Sequence, residues 1–185
     1  MNSLSKEKAL KVIERLEGTL IADLKSLKII AEERERDKLL QEQLPGAFNF
    51  TVFLTGLVAC ETLGYLINAK SRAVDTKNNI EHFLSRSYCE SSAFNKKNYK
   101  DALVSLRTNL AHVYGMTGLR THEVDKDLIL CVGGSSYPEI ISSQKTAKLN
   151  GIKFIELIVK AFESIKSEVS TGNDGSDIVR SISEK

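Results

Sequence analysis

The chain has 185 residues, of which 42% are hydrophobic and 27% are charged, and its formal net charge is +2. This composition is that of a globular domain, and it excludes collagen-like and low-complexity disordered chains. The net charge is too small for the whole surface to attract nucleic acid or an acidic membrane, so any site for an anion has to be local.

The first segment predicts one long helix that begins near Asn2 or Ser3. Over residues 1–44, nine Lys and Arg balance nine Asp and Glu, which indicates a solvated helix surface without an anion site. The charged residues crowd into residues 32–43, where the apolar pattern fades. Before that point, apolar residues recur every three or four positions and form a single stripe, which comprises Ala9, Ile13, Leu16, Leu20, Leu24, Leu27 and Ala31.

A break at Pro45 precedes the most apolar segment, residues 47–69. Its apolar side chains are spread around the helix, which indicates a helix surrounded by others rather than a membrane span. The uncharged run of residues 43–60 approaches the ~20 residues of a spanning helix. It is interrupted by polar residues, however, and Glu61 follows it, so we expect no membrane insertion. A buried carboxylate such as Glu61 needs a cationic or hydrogen-bonding partner, or has to face a cleft.

Two further helices are predicted in the middle of the chain. Asp75 or Thr76 can cap the first of them, and the second runs from about Lys96 to Tyr114. Residues 89–95 between them are rich in polar side chains, which indicates a polar connector.

The last third of the chain has a different pattern. Short apolar runs within residues 118–132 indicate one or two short strands, and Asn150 can cap a last helix. Residues 170–185 are rich in Ser, Gly and Asp and predict a flexible tail. We therefore expect one mainly α domain over residues 1–169, with about five helices and a short β-hairpin or extended loop before the last helix.

Cysteines and histidines give no sign of a metal or a disulfide framework. Cys60, Cys89 and Cys131 are far apart and lack Cys-x-x-Cys spacing. His82 and His122 have no ligand-like spacing with each other or with a cysteine. We expect structural thiols, no metal and no cofactor, in a cytoplasmic protein.

The candidate chemistry lies in the fourth predicted helix. Arg107 offers a planar fork for phosphate oxygens, and His112 can exchange a proton near neutral pH. Asn109, three residues before the histidine, can orient the imidazole or bind an oxygen. These three side chains could together act on a phosphodiester. The alternative is that His112 is an ordinary surface histidine, because it lies on the polar side of the helix.

The spacing within this set is a hint of a homodimer and not a proof of one. Arg107 and His112 are five residues apart, which is roughly 140° around a helix, so they do not share a face. Arg107 is long enough to curl round the helix, and a loosened last turn before Gly115 would help it to reach the histidine. Alternatively, two copies of the helix packed across a twofold axis would bring an arginine and a histidine from different chains together.

Residues 106–114, with the sequence LRTNLAHVY, resemble the signature of the HEPN superfamily. That signature is an arginine followed, a few residues later, by a histidine near the end of a helix. Glu61 in an earlier apolar helix and Tyr99 about two turns before the arginine fit the same resemblance, which covers about residues 46–165.

The resemblance implies an up-and-down helical bundle that dimerises through the motif helices. Many members of the superfamily are metal-independent endoribonucleases of toxin–antitoxin, antiviral or RNA-processing systems, and others are inactive binding modules. By position, Arg107 would stabilise the phosphate and His112 would be the general acid or base, with Asn109 beside them. Attack by the RNA 2′-hydroxyl would leave a cyclic phosphate. Thr108 and Tyr114 would support the site.

The chain departs from the family pattern at one position. The family often has Asn, Asp or His directly after the arginine, whereas this chain has Thr108 there and Asn109 one position later. The departure leaves open whether the site is catalytic.

Two local features bear on the site. Over residues 91–120, five Lys and Arg stand against one acid, and the cluster of Lys96, Lys97 and Lys100 can bind RNA or can be a solvated helix start. Glu61 can pair with Arg107 or His112. Otherwise it accepts a hydrogen bond from the backbone or from a neighbouring threonine, Thr55 or Thr62.

Three functions remain open. The chain can be a homodimeric ribonuclease that cuts RNA through Arg107 and His112. It can be an inactive dimeric module that binds RNA or a protein partner encoded elsewhere, such as an antitoxin. It can also be a helical protein of unrelated role in which the Arg–His spacing is coincidental.

Overall fold

The computed structural model describes residues 3–43, 47–69, 75–112, 119–121, 126–131, 133 and 136–185. These residues are mainly helical and include one small sheet, so the predicted mainly α class is confirmed. The helices are α1 (Ser3–Leu16), α2 (Ala22–Arg36), α3 (Lys38–Gln43), α4 (Ala47–Ile67), α5 (Thr76–Leu84), α6 (Lys97–His112), α7 (Gly151–Thr171) and α8 (Asp177–Ser183). The strands are β1 (Leu119–Thr121), β2 (Lys126–Cys131), β3 (Ile140–Ser142) and β4 (Thr146–Asn150).

The predicted N-terminal helix is present, but it is divided. A π-helical turn, Glu17–Ile21, joins α1 to α2. Asp37 has an extended backbone, and its carboxylate accepts a hydrogen bond from the Leu39 amide at 2.8 Å, which starts α3. The number of helices therefore exceeds the predicted five, because the first one is split and α8 is added. The predicted apolar stripe is buried at Ala9, Ile13, Leu24 and Ala31.

Helix α4 is the central helix, as predicted. It packs against α2, α5, α6, α7 and α8. Phe53 of α4 stacks on Phe154 of α7, with ring centroids 5.6 Å apart. In the described part of the chain, Phe48–Ile67 is the one stretch that is long and apolar enough to span a membrane, with a mean hydropathy of 1.7. However, 67% of this apolar stretch is buried inside the protein. A core helix has the same properties, so this result is only weak evidence for a membrane.

The region before the last helix is a four-stranded sheet with the order β1-β2-β4-β3. Strands β2 and β4 are parallel, and the two edge strands are antiparallel to their neighbours. The predicted strands within 118–132 correspond to β1 and β2. Strands β3 and β4 are two further strands that the prediction of a short hairpin or extended loop did not include. Their local signal is weak because they are short and because β4 has only two buried apolar residues, Ala147 and Leu149. Asn150 ends β4 and caps α7, as predicted.

The prediction of a flexible tail over residues 170–185 is wrong for its second half. Helix α8 buries Ile178, Val179 and Ile182 and packs mainly against α1. The Ser181 hydroxyl donates a 2.7 Å hydrogen bond to the Leu66 carbonyl of α4. The Ser- and Gly-rich composition concealed an apolar face of only three residues, which is sufficient because neighbouring helices cover it.

The connector at residues 89–95 is more than a polar linker. It forms two 3₁₀ turns that fully bury Cys89 and Phe94. Glu139 accepts hydrogen bonds from the Ser92 hydroxyl, at 3.1 Å, and from the Ala93 amide. The connector therefore contributes to the core, and Glu139, the residue before β3, holds its Ser92 side chain and its Ala93 amide.

Candidate functional site

An ion pair joins the central helix, α4, to α6, the helix that contains Arg107 and His112. Arg107 Nε on α6 donates to Glu61 Oε2 on α4 at 3.0 Å. The Glu61 side chain is 10% exposed and the Arg107 side chain is 22% exposed, so water screens this pair only in part. Of the partners considered for Glu61 from sequence, the structure pairs it with Arg107.

The second oxygen of Glu61 is also bonded. The Thr76 hydroxyl donates to Glu61 Oε1 at 2.6 Å. Thr76 is the first residue of α5, and the preceding Asp75 caps that helix by accepting from the Asn78 amide. The threonine is therefore neither Thr55 nor Thr62. Sequence spacing could not reveal it, because Thr76 lies fifteen residues after Glu61.

The outer end of the arginine is the part of the side chain that Glu61 does not hold. Among the described residues, none accepts a hydrogen bond from the two Nη atoms of Arg107. A guanidinium held through Nε keeps its planar Nη pair in a fixed direction, and that pair matches two oxygens of a phosphate. Glu61 and Thr76 thus orient an arginine that can bind an oxyanion.

The other motif residues are placed by the backbone alone. The described part of helix α6 extends to His112. The next residues, 113–118, lie outside the described residues, so the placement of this histidine near a helix end stays a prediction. The side chains of Thr108, Asn109 and His112, and all of Tyr114, lie outside the described residues. On a regular helix, position 112 is about 140° around from Arg107 and roughly 7.5 Å further along the axis.

A cleft of about 680 Å³ lies between α5 and α6. Lys97 and Lys100, two of the predicted RNA-binding lysines, line it from α6, whereas the exposed Lys96 precedes the helix and is not among the described lining residues. Lys100 Nζ donates to Ser85 Oγ at 2.8 Å, which fixes this ammonium group across the cleft. The other described lining residues are Lys77, Glu81, Asp101, Val104 and Ser105.

The α6 side of this cleft points along the helix towards the motif. Positions 97, 101, 105, 108 and 112 are four, four, three and four residues apart, so in helical register they share one face of α6. Arg107 follows Lys100 by seven residues, so it lies on the Lys100 side of the helix, about 140° around from position 112. No local pattern in the sequence indicates Lys77 or Ser85, because α5 and the residue after it bring them to the cleft from a different part of the chain.

The cysteines have the properties of structural thiols. Burial raises the pKa of the Cys89 thiol to about 12, and burial also raises the pKa of the Cys60 and Cys131 thiols. These thiols therefore stay protonated and are weak nucleophiles at neutral pH. In the part of the chain that the structure describes, no cluster of three or more His, Cys, Asp or Glu has an arrangement that could hold a metal ion.

The candidate site thus consists of an arginine oriented by Glu61 and Thr76, the histidine at position 112 of the same helix, and a cleft with three lysines whose lining extends along α6 to Ser105. Burial and proximity to Arg86 lower the pKa of His82 on α5, which is the one histidine whose side chain is described.

Comparisons of the chain with models of known protein families, with curated proteins and with solved structures find no match.

Proposed function

We propose that this protein is a metal-independent endoribonuclease of the HEPN type that acts as a homodimer. The observation that carries the proposal is the orientation of Arg107. Its Nε is held by a nearly buried carboxylate, and its two Nη atoms have no partner among the described residues.

The proposed reaction is an internal transesterification of RNA. The 2′-oxygen attacks the phosphorus and loses its proton to a general base, while the bond from phosphorus to the 5′-oxygen breaks and that oxygen takes up a proton. The products are a 2′,3′-cyclic phosphate and a free 5′-hydroxyl. Arg107 stabilises the charge on the phosphoryl oxygens, and His112 transfers one of the two protons. Asn109 orients the histidine.

A second copy of the chain would complete the site. Positions 107 and 112 lie on different sides of α6, and Arg107 leans towards α4, where Glu61 holds it. One subunit therefore does not place both groups on one side of its helix. If α6 packs against its symmetry mate, the arginine of one subunit and the histidine of the other can face the same phosphate.

The test is RNA cleavage in excess chelator. Labelled RNA is incubated with wild type, His112→Ala, Arg107→Ala and Arg107→Lys, with His122→Ala as a matched histidine control outside the motif. We expect wild type and the control to cut and leave cyclic phosphate ends. The two alanine variants should lose at least about a hundredfold in rate, because each removes a group that acts in the transition state. Absence of cutting, or cutting that survives His112→Ala, would refute the proposal.

The second candidate is an inactive dimeric module that binds RNA or a protein partner encoded elsewhere. Thr108 favours it, because the residue after the arginine differs from those that the family often has there. Retention of RNA without cutting by wild type would support this candidate. A strict monomer in light scattering at micromolar concentration would argue against both candidates. A cytoplasmic location and a role in toxin–antitoxin or antiviral systems remain predictions.

A further inference from the structure

The cleft between α5 and α6 has a mixed lining. Lys77, Lys97 and Lys100 contribute three positive charges, and Glu81 and Asp101 contribute two carboxylates. The ion pair between Lys77 and Glu81 is long, at 3.9 Å, and the Lys77 side chain is 69% exposed, so this lysine keeps most of its capacity to bind another anion. The cleft therefore offers cationic donors and anionic acceptors within one space of about 680 Å³.

The cleft is connected to the arginine through adjacent residues. Lys77 directly follows Thr76, whose hydroxyl bonds the carboxylate that holds Arg107. On α6, Lys97 lies ten residues before Arg107, which is about 15 Å along the helix axis. That distance corresponds to about four nucleotides of a stacked strand, at ~3.4 Å for each nucleotide.

The lining distinguishes between classes of polyanion. A carboxylate repels a phosphate, but it accepts hydrogen bonds from hydroxyl and amino groups. An RNA strand alternates phosphates with ribose 2′-hydroxyls, so it can meet the lysines with the former and the carboxylates with the latter. DNA has the same phosphates but lacks the 2′-hydroxyl. A lining of three lysines and two carboxylates therefore fits RNA better than DNA.

We propose that this cleft binds single-stranded RNA on one side of the phosphate to be cut. Lys77, Lys97 and Lys100 contact phosphates, and Asp101 and Glu81 accept hydrogen bonds from ribose 2′-hydroxyls. Ser85 keeps Lys100 in place. This inference rests on the proposed function, because it takes Arg107 as the point at which the strand is cut.

The experiment measures binding and cleavage separately. Fluorescence anisotropy in excess chelator compares a short unstructured RNA with DNA of the same sequence, and gel electrophoresis of the same samples records cutting. The test variant is Lys97→Ala with Lys100→Ala. Its matched control is Lys8→Ala with Lys160→Ala, which removes the same charge from exposed positions on α1 and α7. Circular dichroism confirms that each variant is folded.

We expect the cleft variant to bind RNA at least tenfold more weakly than wild type. The slope of log affinity against log salt should fall by roughly 2, because two phosphate contacts are lost. The control should bind like wild type. Wild type should prefer RNA to DNA, and Asp101→Ala should bring the ratio of the two affinities closer to one, because it removes a hydroxyl acceptor.

The outcomes separate this inference from the proposed function. If the cleft variant and the control bind RNA equally, or if wild type binds DNA as tightly as RNA, the inference is overturned even if RNA is cut. If RNA binding depends on the lysines but nothing is cut, the cleft assignment stands as a binding site and the nuclease proposal fails.

Discussion

The protein accommodates charge differently at two helix junctions. Where α4, α5 and α6 meet, Glu61 and Arg107 are mostly buried, and Glu61 accepts hydrogen bonds at both of its oxygens. The second junction is where the π-helical turn Glu17–Ile21 meets α7. There, Lys166 Nζ lies 2.7 Å from Glu17 Oε2, and more than a third of each side chain is exposed. Water can replace the partner of Glu17 or Lys166 at the exposed junction, but it can hardly replace the partner of Glu61 at the buried one. The comparison shows that a short distance alone does not measure how much a pair contributes.

The two regions also differ in how closely their backbones pack. A Cβ added at Gly64 in α4 would lie 1.9 Å from the Asn79 carbonyl oxygen of α5. A Cβ at Gly18, in the π-helical turn, would have no neighbour within 4 Å. The junction that holds the candidate site is therefore the one in which the helices cannot move apart without loss.

The largest expected effect comes from Gly64→Ala. The new methyl group would force α4 and α5 apart, and we expect a loss of about 3 kcal/mol or more in the free energy of unfolding. Gly18→Ala is the matched control and should stabilise the protein by about 1 kcal/mol, because alanine favours helix. Urea unfolding measures both. Equal effects of the two substitutions would show that the close α4–α5 contact is unimportant for stability.

The next effect comes from Glu61→Ala, which leaves Arg107 partly buried without its carboxylate. We expect a loss of about 2–3 kcal/mol, somewhat below the range for fully buried pairs because Arg107 retains some contact with water. The control Glu7→Ala breaks a pair with Lys11 that is largely exposed, and it should leave the stability almost unchanged. Denaturant unfolding of both variants is the measurement. A Glu61 variant as stable as the Glu7 variant would contradict the assignment of Glu61 to a buried, fully bonded pair.

A smaller effect is expected from pH at His82. Burial and nearby Arg86 lower its pKa below the ordinary 6.5, so the unfolded chain takes up this proton before the folded one does. The associated stability is complete above about pH 6.5 and is lost as the pH falls towards the folded pKa. Unfolding measured at pH 7.5 and pH 5.5 should show this loss in wild type and a smaller loss in His82→Gln. Identical pH profiles would refute the assignment.

The smallest effect belongs to the exposed pair. The hydrogen bonds from Lys166 lower the pKa of Glu17 below its ordinary 4.5. The stability that results is present above the unfolded pKa and is lost as the pH falls through the folded one. Glu17→Gln should therefore flatten the stability profile slightly below about pH 5, and added salt should weaken the difference. A difference between wild type and variant that persists in high salt would show that the pair is less solvated than its exposure indicates.

Local patterns predicted much of the helical framework. The start of α4 at residue 47 follows from the break at Pro45, and its burial follows from apolar side chains on all sides. Asp75 and Asn150 were recognisable as caps, because their side chains act on amides two or three residues away. Signals of this kind involve neighbours in sequence, so no knowledge of the fold is needed to detect them.

Features that depend on distant partners were missed or left open. Helix α8 has too few apolar residues to be noticed without the surfaces of α1 and α4 that cover it. Strand β4 pairs with β2 in parallel, so its partner lies about twenty residues away in the chain. The predicted pairing of Glu61 had several alternatives, because only the packing of α4 on α6 decides which cation is within reach.

The sequence by itself determined most of the helical segments, which of them is central, and that a carboxylate in the central helix requires a partner. These follow from periodicity, capping and the cost of burying a charge, all of which act locally or on single residues. Only the tertiary structure decided that Arg107 is that partner, that Thr76 completes the carboxylate's hydrogen bonds, and that Lys77 and Ser85 of α5 face the lysines of α6. The physical reason is that side-chain hydrogen bonds and charge contacts extend only a few ångströms. Residues fifteen or forty-six positions apart therefore interact only when helix packing brings them together.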